Sequence, residues 1–132
     1  MSLEYKVNAP VSAEEVANVF RAAGLKRPVD QLERIQRMID YADITITVRD
    51  GNKLIGIARA ITDFSYCCYL SDLAVDKDYQ KRGIGKQLIK ELQKQLGEET
   101  SLLLLSVPDA MEYYPKVGFN KAENAFLIQR KR

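Results

Sequence analysis

Asp72-Leu73-Ala74-Val75-Asp76-Lys77-Asp78-Tyr79-Gln80-Lys81-Arg82-Gly83-Ile84-Gly85-Lys86-Gln87-Leu88-Ile89 is the stretch on which the reading of this chain turns. An apolar strand end runs into a short charged loop, the loop closes on Gln-Lys-Arg-Gly-Ile-Gly, and an amphipathic helix follows. Such a junction aims backbone N–H groups and the positive end of a helix dipole at one point, which suits a bound phosphate. Gly83 and Gly85 are expected to leave room for a ligand's oxygens at the main chain. Lys81, Arg82 and Lys86 add positive charge around them. A Gln/Arg-x-x-Gly-x-Gly pattern arises by chance only about 0.06 times in a chain this short. Its setting between strand and helix adds weight to that. Two rival glycine motifs fail here. A P-loop needs a glycine where Gln80 stands and a hydroxyl where Gln87 stands. The dinucleotide fingerprint needs a third small residue where Leu88 stands.

Working outward, Gly83 to Leu96 forms a helix with Ile84, Leu88, Leu92 and Leu96 on one stripe, and Gly97 ends it. Leu102-Leu103-Leu104-Leu105 is a continuous apolar run, the composition of a central strand covered on both faces. Strand, crossover helix and buried strand predict a parallel pair. Upstream, Leu3 to Val7 alternates as a strand, and Ser12-Ala13-Glu14-Glu15 is a capping box opening a helix to about Ala23. A second helix is expected from Asp30. Ile44 to Val48 and Leu54 to Thr62 read as a hairpin turning at Asp50-Gly51-Asn52, with a further strand from Tyr66 to Val75. Downstream, a short helix is expected from Asp109 to about Val117, then a strand at Phe119 and a last one at Ala125 to Gln129. The whole is an α/β chain: a mixed, mostly antiparallel sheet around one central parallel βαβ unit.

At Leu73-Ala74-Val75 and Gln80-Lys81-Arg82-Gly83-Ile84-Gly85 the chain resembles the GNAT superfamily of acetyl-CoA-dependent N-acetyltransferases. A second match follows in the right order: Tyr114-Pro115-Lys116-Val117-Gly118-Phe119 is similar to that family's Tyr-x-x-x-Gly-Phe segment. The resemblance covers nearly the whole chain. It implies a GNAT-type fold with helices on both faces of the sheet and two parallel strands that splay apart around the cofactor's pantetheine arm. It implies main-chain contacts to acetyl-CoA, as cosubstrate, from Leu73, Ala74 and Val75. The pyrophosphate would meet the N–H groups from Gln80 through Lys81, Arg82, Gly83, Ile84 and Gly85 to Lys86. Tyr114 matches the family's general acid position. The acceptor is expected to be a small-molecule amine, acetylated by direct transfer in a ternary complex. A protein lysine or N-terminal acetyltransferase and a non-catalytic acyl-CoA-binding module are the alternatives, and a homodimer is left open.

Composition narrows the rest. The chain has 132 residues, the length of one domain spanning 1–132, with 46% hydrophobic and 29% charged residues and a net charge of +2. That charge predicts no nucleic acid partner. No apolar run is long enough to cross a membrane and no signal peptide is legible, so a cytoplasmic protein with no membrane partner is expected. Cys67 and Cys68 are adjacent and point to opposite sides of a strand. They are expected as buried thiols rather than a disulfide or a metal site.

The chemistry raises one difficulty. An alkylammonium of pKa near ~10.4 costs roughly 4.6 kcal/mol to deprotonate at pH 7, and the chain contains no histidine. Some family members carry a base on the strand before the cofactor motif, on the face of Leu73. Counting back by twos reaches Ser71 and Tyr69, neither of them a base at neutral pH, while Asp72 alternates to the opposite face unless a bulge intervenes. A water chain toward Asp72, Asp63 or Glu112 and a substrate whose amine already has a low pKa are the other routes. Arg21, Lys26, Arg27, Arg34 and Arg37 give the acceptor-side segment from Phe20 to Asp40 a mild basic excess, which would suit an amine that also carries an anionic group.

Overall fold

The computed structural model describes residues 2–132. Five strands, β1 (Leu3–Val7), β2 (Ile44–Asp50), β3 (Lys53–Thr62), β4 (Cys67–Val75) and β5 (Ser101–Leu104), form one sheet in the order β1-β2-β3-β4-β5. The first three pairings are antiparallel; β4 and β5 are parallel. Helices α1 (Ala13–Ala23) and α2 (Leu32–Asp40) cover one face, and α3 (Ile84–Leu96) covers the other. A short helix, α4 (Tyr113–Lys116), follows β5.

Local chemistry places these elements. Ser12 Oγ accepts from the Glu15 N–H at 3.1 Å while Glu15 Oε2 accepts from the Ser12 N–H at 2.8 Å, so α1 starts with both halves of its capping box made. Gly24 ends α1 in the left-handed region at φ 74°. Val16, Val19 and Phe20 pack with Ile35 of α2 on Leu54, Ile57 and Ala74. On the opposite face Leu88, Ile89 and Leu92 of α3 meet Ile44, Ile46 and Val48 of β2 and Cys68 and Leu70 of β4. Gly56 permits the close seating there. A Cβ at that position would lie 2.7 Å from Val48 Cγ1, 3.3 Å from the Ala74 carbonyl and 3.4 Å from Leu88 Cδ1.

Several expectations give way. β5 is the last strand of the sheet rather than a central one, so the parallel unit lies at one side; Leu103 and Leu105 remain open because only one face of the strand is covered. No strand forms at Phe119 or over Ala125–Gln129. The helix expected over residues 109–117 splits into a single turn at Pro108–Ala110 and the four-residue α4. Cys68 is buried but Cys67 is exposed, and neither is in a disulfide.

Candidate active site

The β4–β5 ladder is short. It runs from Cys67 opposite Ser101 to Leu70 opposite Leu104, and there it stops while β4 continues to Val75. From Ser71 onward that side of β4 therefore has no strand beside it, and the two chains diverge around a cavity of about 360 Å³. Leu70, Ser71, Leu73 and Val75 line it from β4, Leu104, Leu105 and Val107 from the end of β5 and just past it, and Gly24, Leu25 and Arg27 from the α1–α2 loop. Tyr114 closes it, and Lys77 and Gln80 stand at the loop end. Ala74 turns the other way, into the core beneath α1 and α2.

The loop from β4 to α3 is pinned at several points. Asp76 accepts from the Asp78 N–H at 2.9 Å, and the Gln80 side-chain amide donates to the Val75 carbonyl at 2.8 Å. The Tyr79 hydroxyl donates to Asp50 Oδ2 at 2.6 Å, which with burial raises its pKa. Arg82 lies over the Tyr79 ring, 5.4 Å from its centre. Lys81 (φ 66°) and Gly83 (φ 79°) both adopt left-handed backbone, a conformation that a lysine tolerates only where the surroundings impose it. Gly83 is the residue that starts α3, and no side chain caps that helix. The first-turn N–H groups have no partner within a helix, and exposed Lys81, Arg82 and Lys86 surround them. The Ile84 side chain is buried in the core, which leaves only its backbone at this surface.

The second glycine has a different reason from the one its sequence suggested. A Cβ on Gly85 would lie 2.7 Å from the Tyr113 hydroxyl oxygen, so the space is filled by that tyrosine rather than left for a ligand. This separates the two tyrosines. Tyr113 packs its hydroxyl on the start of α3, while Tyr114 lines the cavity. Tyr114 is held edge-on between Tyr113 (ring centres 5.2 Å apart) and Phe119 (5.6 Å). The Phe119 N–H donates to the Tyr114 carbonyl at 3.1 Å, and Gly118 makes the turn at φ 103°. Burial raises the Tyr114 pKa, helped by Tyr113 and opposed by Arg27, so the phenol keeps its proton at neutral pH.

Asp72 lies away from the cavity, as alternation required, and it is only 1% exposed. Its two oxygens are taken by Arg27 Nε and Arg59 Nε. Arg59 also donates to Ser71 Oγ at 2.9 Å, and Arg27 to the Ser71 carbonyl at 2.8 Å. The count upstream of Asp72 does change. Arg59 pairs with Asp72 but Ala60 pairs with Leu70, so Ser71 is the extra residue of a bulge. Leu70 and Cys68, not Tyr69, therefore share the α3 face with the core. The other carboxylates considered as routes for the amine's proton are placed elsewhere. Asp63 caps its own turn, accepting from the N–H groups of Ser65, Tyr66 and Cys67, which lower its pKa to about 2. Glu112 is exposed. Asp109, not singled out from the sequence, lines the cavity. The basic excess of the acceptor-side segment is largely engaged within the chain: Arg21 with Asp30, Arg27 with Asp72, and Arg34 with the Arg132 carbonyl. Among the described residues no helix is long and apolar enough to cross a membrane, and no cluster of side chains could hold a metal ion.

Residues 9–128 match the family described as acetyltransferase (GNAT) domain. An uncharacterized N-acetyltransferase, ycf52, of Pyropia yezoensis is 31% identical over 121 residues, which cover 86% of this chain and 68% of that protein. The chain spans from 58 to 68% of the length of three such ycf52 relatives. Among solved structures, a protein of unknown function from meticillin-resistant Staphylococcus aureus shares the fold at TM-score 0.83 and 24% identity, over 98% of this chain and all of that one. An aminoglycoside N-acetyltransferase in complex with CoA shares it at TM-score 0.72 and 16% identity, over 99% and 96% of the two chains.

Proposed function

The chain belongs to the GNAT acetyltransferase family, and we propose that it carries the acetyl group of acetyl-CoA to the primary amine of a small molecule within one ternary complex. The observation that carries this reading is the gap between β4 and β5, with a tyrosine at its wall and an uncapped helix start at the loop end. The unpaired side of β4 at Leu73 and Val75 can hydrogen-bond the amides of an extended pantetheine arm as another strand would, whereas Ala74, opposite Ile57, turns its main-chain groups to β3. The pyrophosphate then falls to the N–H groups between Gln80 and Lys86, with Lys81, Arg82 and Lys86 around it.

In the transfer, the neutral amine nitrogen attacks the thioester carbon, the C–S bond breaks, the departing sulfur takes a proton from the Tyr114 hydroxyl, and the proton released by the new amide nitrogen restores the phenol. A phenol suits that exchange, because its pKa lies close enough to that of a thiol for the proton to pass readily. The amine must arrive neutral. Both oxygens of Asp72 are engaged by arginines, the cavity holds no histidine, and its remaining carboxylate is Asp109; on this reading the proton is left to water or the bulk equilibrium. A small acceptor fits the roof over the cavity. Gly24, Leu25 and Arg27 cover it from the α1–α2 loop, and Arg27 fastens that loop to β4 through Asp72 and the Ser71 carbonyl. The fold shared with an aminoglycoside N-acetyltransferase is in keeping with this. The test is thiol release from acetyl-CoA across a panel of small amines and lysine peptides. Turnover of small amines alone is expected; release with peptides only moves the acceptor to protein, and no release with any amine refutes acetyl transfer.

A further inference from the structure

Two cations, Arg27 and Lys77, line the cavity between β4 and β5, and they are in different states. Arg27 commits its guanidinium to Asp72 and to the Lys26 and Ser71 carbonyls. Among the described residues the Lys77 ammonium makes no hydrogen bond or ion pair. Its side chain nevertheless has a defined place. Lys77 opens the turn Lys77–Tyr79, which Asp76 holds by accepting from the Asp78 N–H and Tyr79 by donating to Asp50. From that turn it reaches Gly24 at the end of α1. A Cβ on Gly24 would lie 3.2 Å from Lys77 Cε and 3.3 Å from Nζ.

A lysine at the end of a helix can simply serve the helix dipole. The end of α1 has no need of one. The Gly24 and Leu25 N–H groups take the Arg21 and Phe20 carbonyls at 3.0 Å each, and Arg21 already stands in the last turn. What remains is a cation whose methylenes rest on the roof of the cavity and whose charge is uncommitted. Its carbonyl accepts from the Gln80 N–H at 3.4 Å, so it stands one turn before the N–H groups assigned to the pyrophosphate. A lysine held by its stem with its head toward such a place suits a phosphate oxygen.

We propose that Lys77 is a further cofactor-binding residue: its ammonium takes a pyrophosphate oxygen of acetyl-CoA while its methylenes stay on Gly24, so that the bound cofactor ties the α1–α2 loop to the β4–α3 loop. The inference rests on the acetyl-CoA reading above. Lys81, Arg82 and Lys86 surround the start of α3 but do not line the cavity. Of these four cations Lys77 is the one that reaches from the phosphates to the roof. Cofactor binding then steadies the roof under which the acceptor enters.

The test is calorimetry of CoA, dephospho-CoA and acetyl-pantetheine with wild type, Lys77→Met and Lys77→Arg, together with hydrogen exchange of the amides of residues 25–27. Methionine keeps most of the stem and removes the charge, and because Lys77 is exposed the variants should melt with wild type. CoA affinity should fall about 10-fold in Lys77→Met and largely return in Lys77→Arg. The same loss is expected with dephospho-CoA, which keeps the pyrophosphate, and none with acetyl-pantetheine, which has no phosphate. CoA should slow the loop amides in wild type and not in Lys77→Met. Equal CoA affinity in wild type and Lys77→Met overturns the proposal. So does a loss that vanishes with dephospho-CoA, which would move the contact to the 3′-phosphate. A loss as large with acetyl-pantetheine would make Lys77 a packing residue, and loop amides slowed alike in both proteins would remove the tie; each overturns it. A wild type that binds neither CoA nor acetyl-CoA would overturn the cofactor reading itself, whereas binding by wild type without a Lys77 effect overturns this inference alone.

Discussion

Replacing Asp72 with Asn should cost stability far more than turnover. Asp72 is 1% exposed and its carboxylate neutralises two guanidiniums at once. Asparagine keeps one acceptor oxygen but turns an N–H₂ donor toward the other arginine, and the cluster's charge rises from +1 to +2. Breaking a buried ion pair costs about 3–5 kcal/mol. The low end applies, because the Arg27 side chain is 20% exposed and can turn to water, so a loss of about 3 kcal/mol is expected. For a domain of this size each kcal/mol moves Tm by about 3–5 °C, giving a drop of about 9–15 °C in a thermal melt. Turnover measured well below the lowered Tm should change less than about tenfold, since no step of the transfer uses the Asp72 carboxylate and Arg27 keeps its bond to the Ser71 carbonyl. The opposite pattern would refute the reasoning: a Tm within about 3 °C of wild type with kcat/KM down more than about 100-fold. That result would make Asp72 the base, and a wild-type plateau above pH 6–7 lost in Asp72→Asn would say the same.

Tyr114→Phe should lower kcat about 100-fold with little change in acetyl-CoA affinity, whereas Tyr113→Phe, whose hydroxyl rests on Gly85, should leave most of the activity. The reverse ranking in steady-state assays would transfer the general acid to Tyr113. Gly83→Glu should abolish acetyl-CoA binding in calorimetry while the chain stays folded, because it puts a negative charge and a side chain with strained φ at the start of α3; unchanged affinity would remove the pyrophosphate assignment. For the pH profile, kcat/KM should climb toward the pKa of the substrate amine, since the amine's proton is left to water or the bulk equilibrium. Tyr114 must keep its proton and burial raises its pKa, so the falling limb lies above about pH 10, and a fall between pH 7 and 9 would exclude it as the acid.

The parts of this protein that were legible in its sequence are those fixed by local chemistry. The capping box at Ser12, the glycine stop after α1, the hairpin at Gly51 and the stripe of α3 each depend on neighbours within a few residues, and each is where the pattern put it. The strand–loop–helix junction at Val75–Gly85 was legible for the same reason. What the sequence hid was set by contacts between distant segments. Gly85 looked like a ligand glycine, but its constraint is Tyr113, 28 positions away and seated on it by α4. Counting by twos along β4 failed at Ser71, because the bulge is fixed by the pairing of Arg59 with Asp72 and not by any strand-breaking residue. The basic residues between Phe20 and Asp40 read as a substrate-facing surface, but Arg27 is committed to Asp72 beneath it. The leucine run of β5 misled in a more useful way. Four apolar residues in a row do describe a strand covered on both sides, yet one copy of the chain covers one side. The pattern at Leu102–Leu105 thus describes the face of Leu102 and Leu104, which packs on the core, and overstates the face of Leu103 and Leu105, which stays exposed.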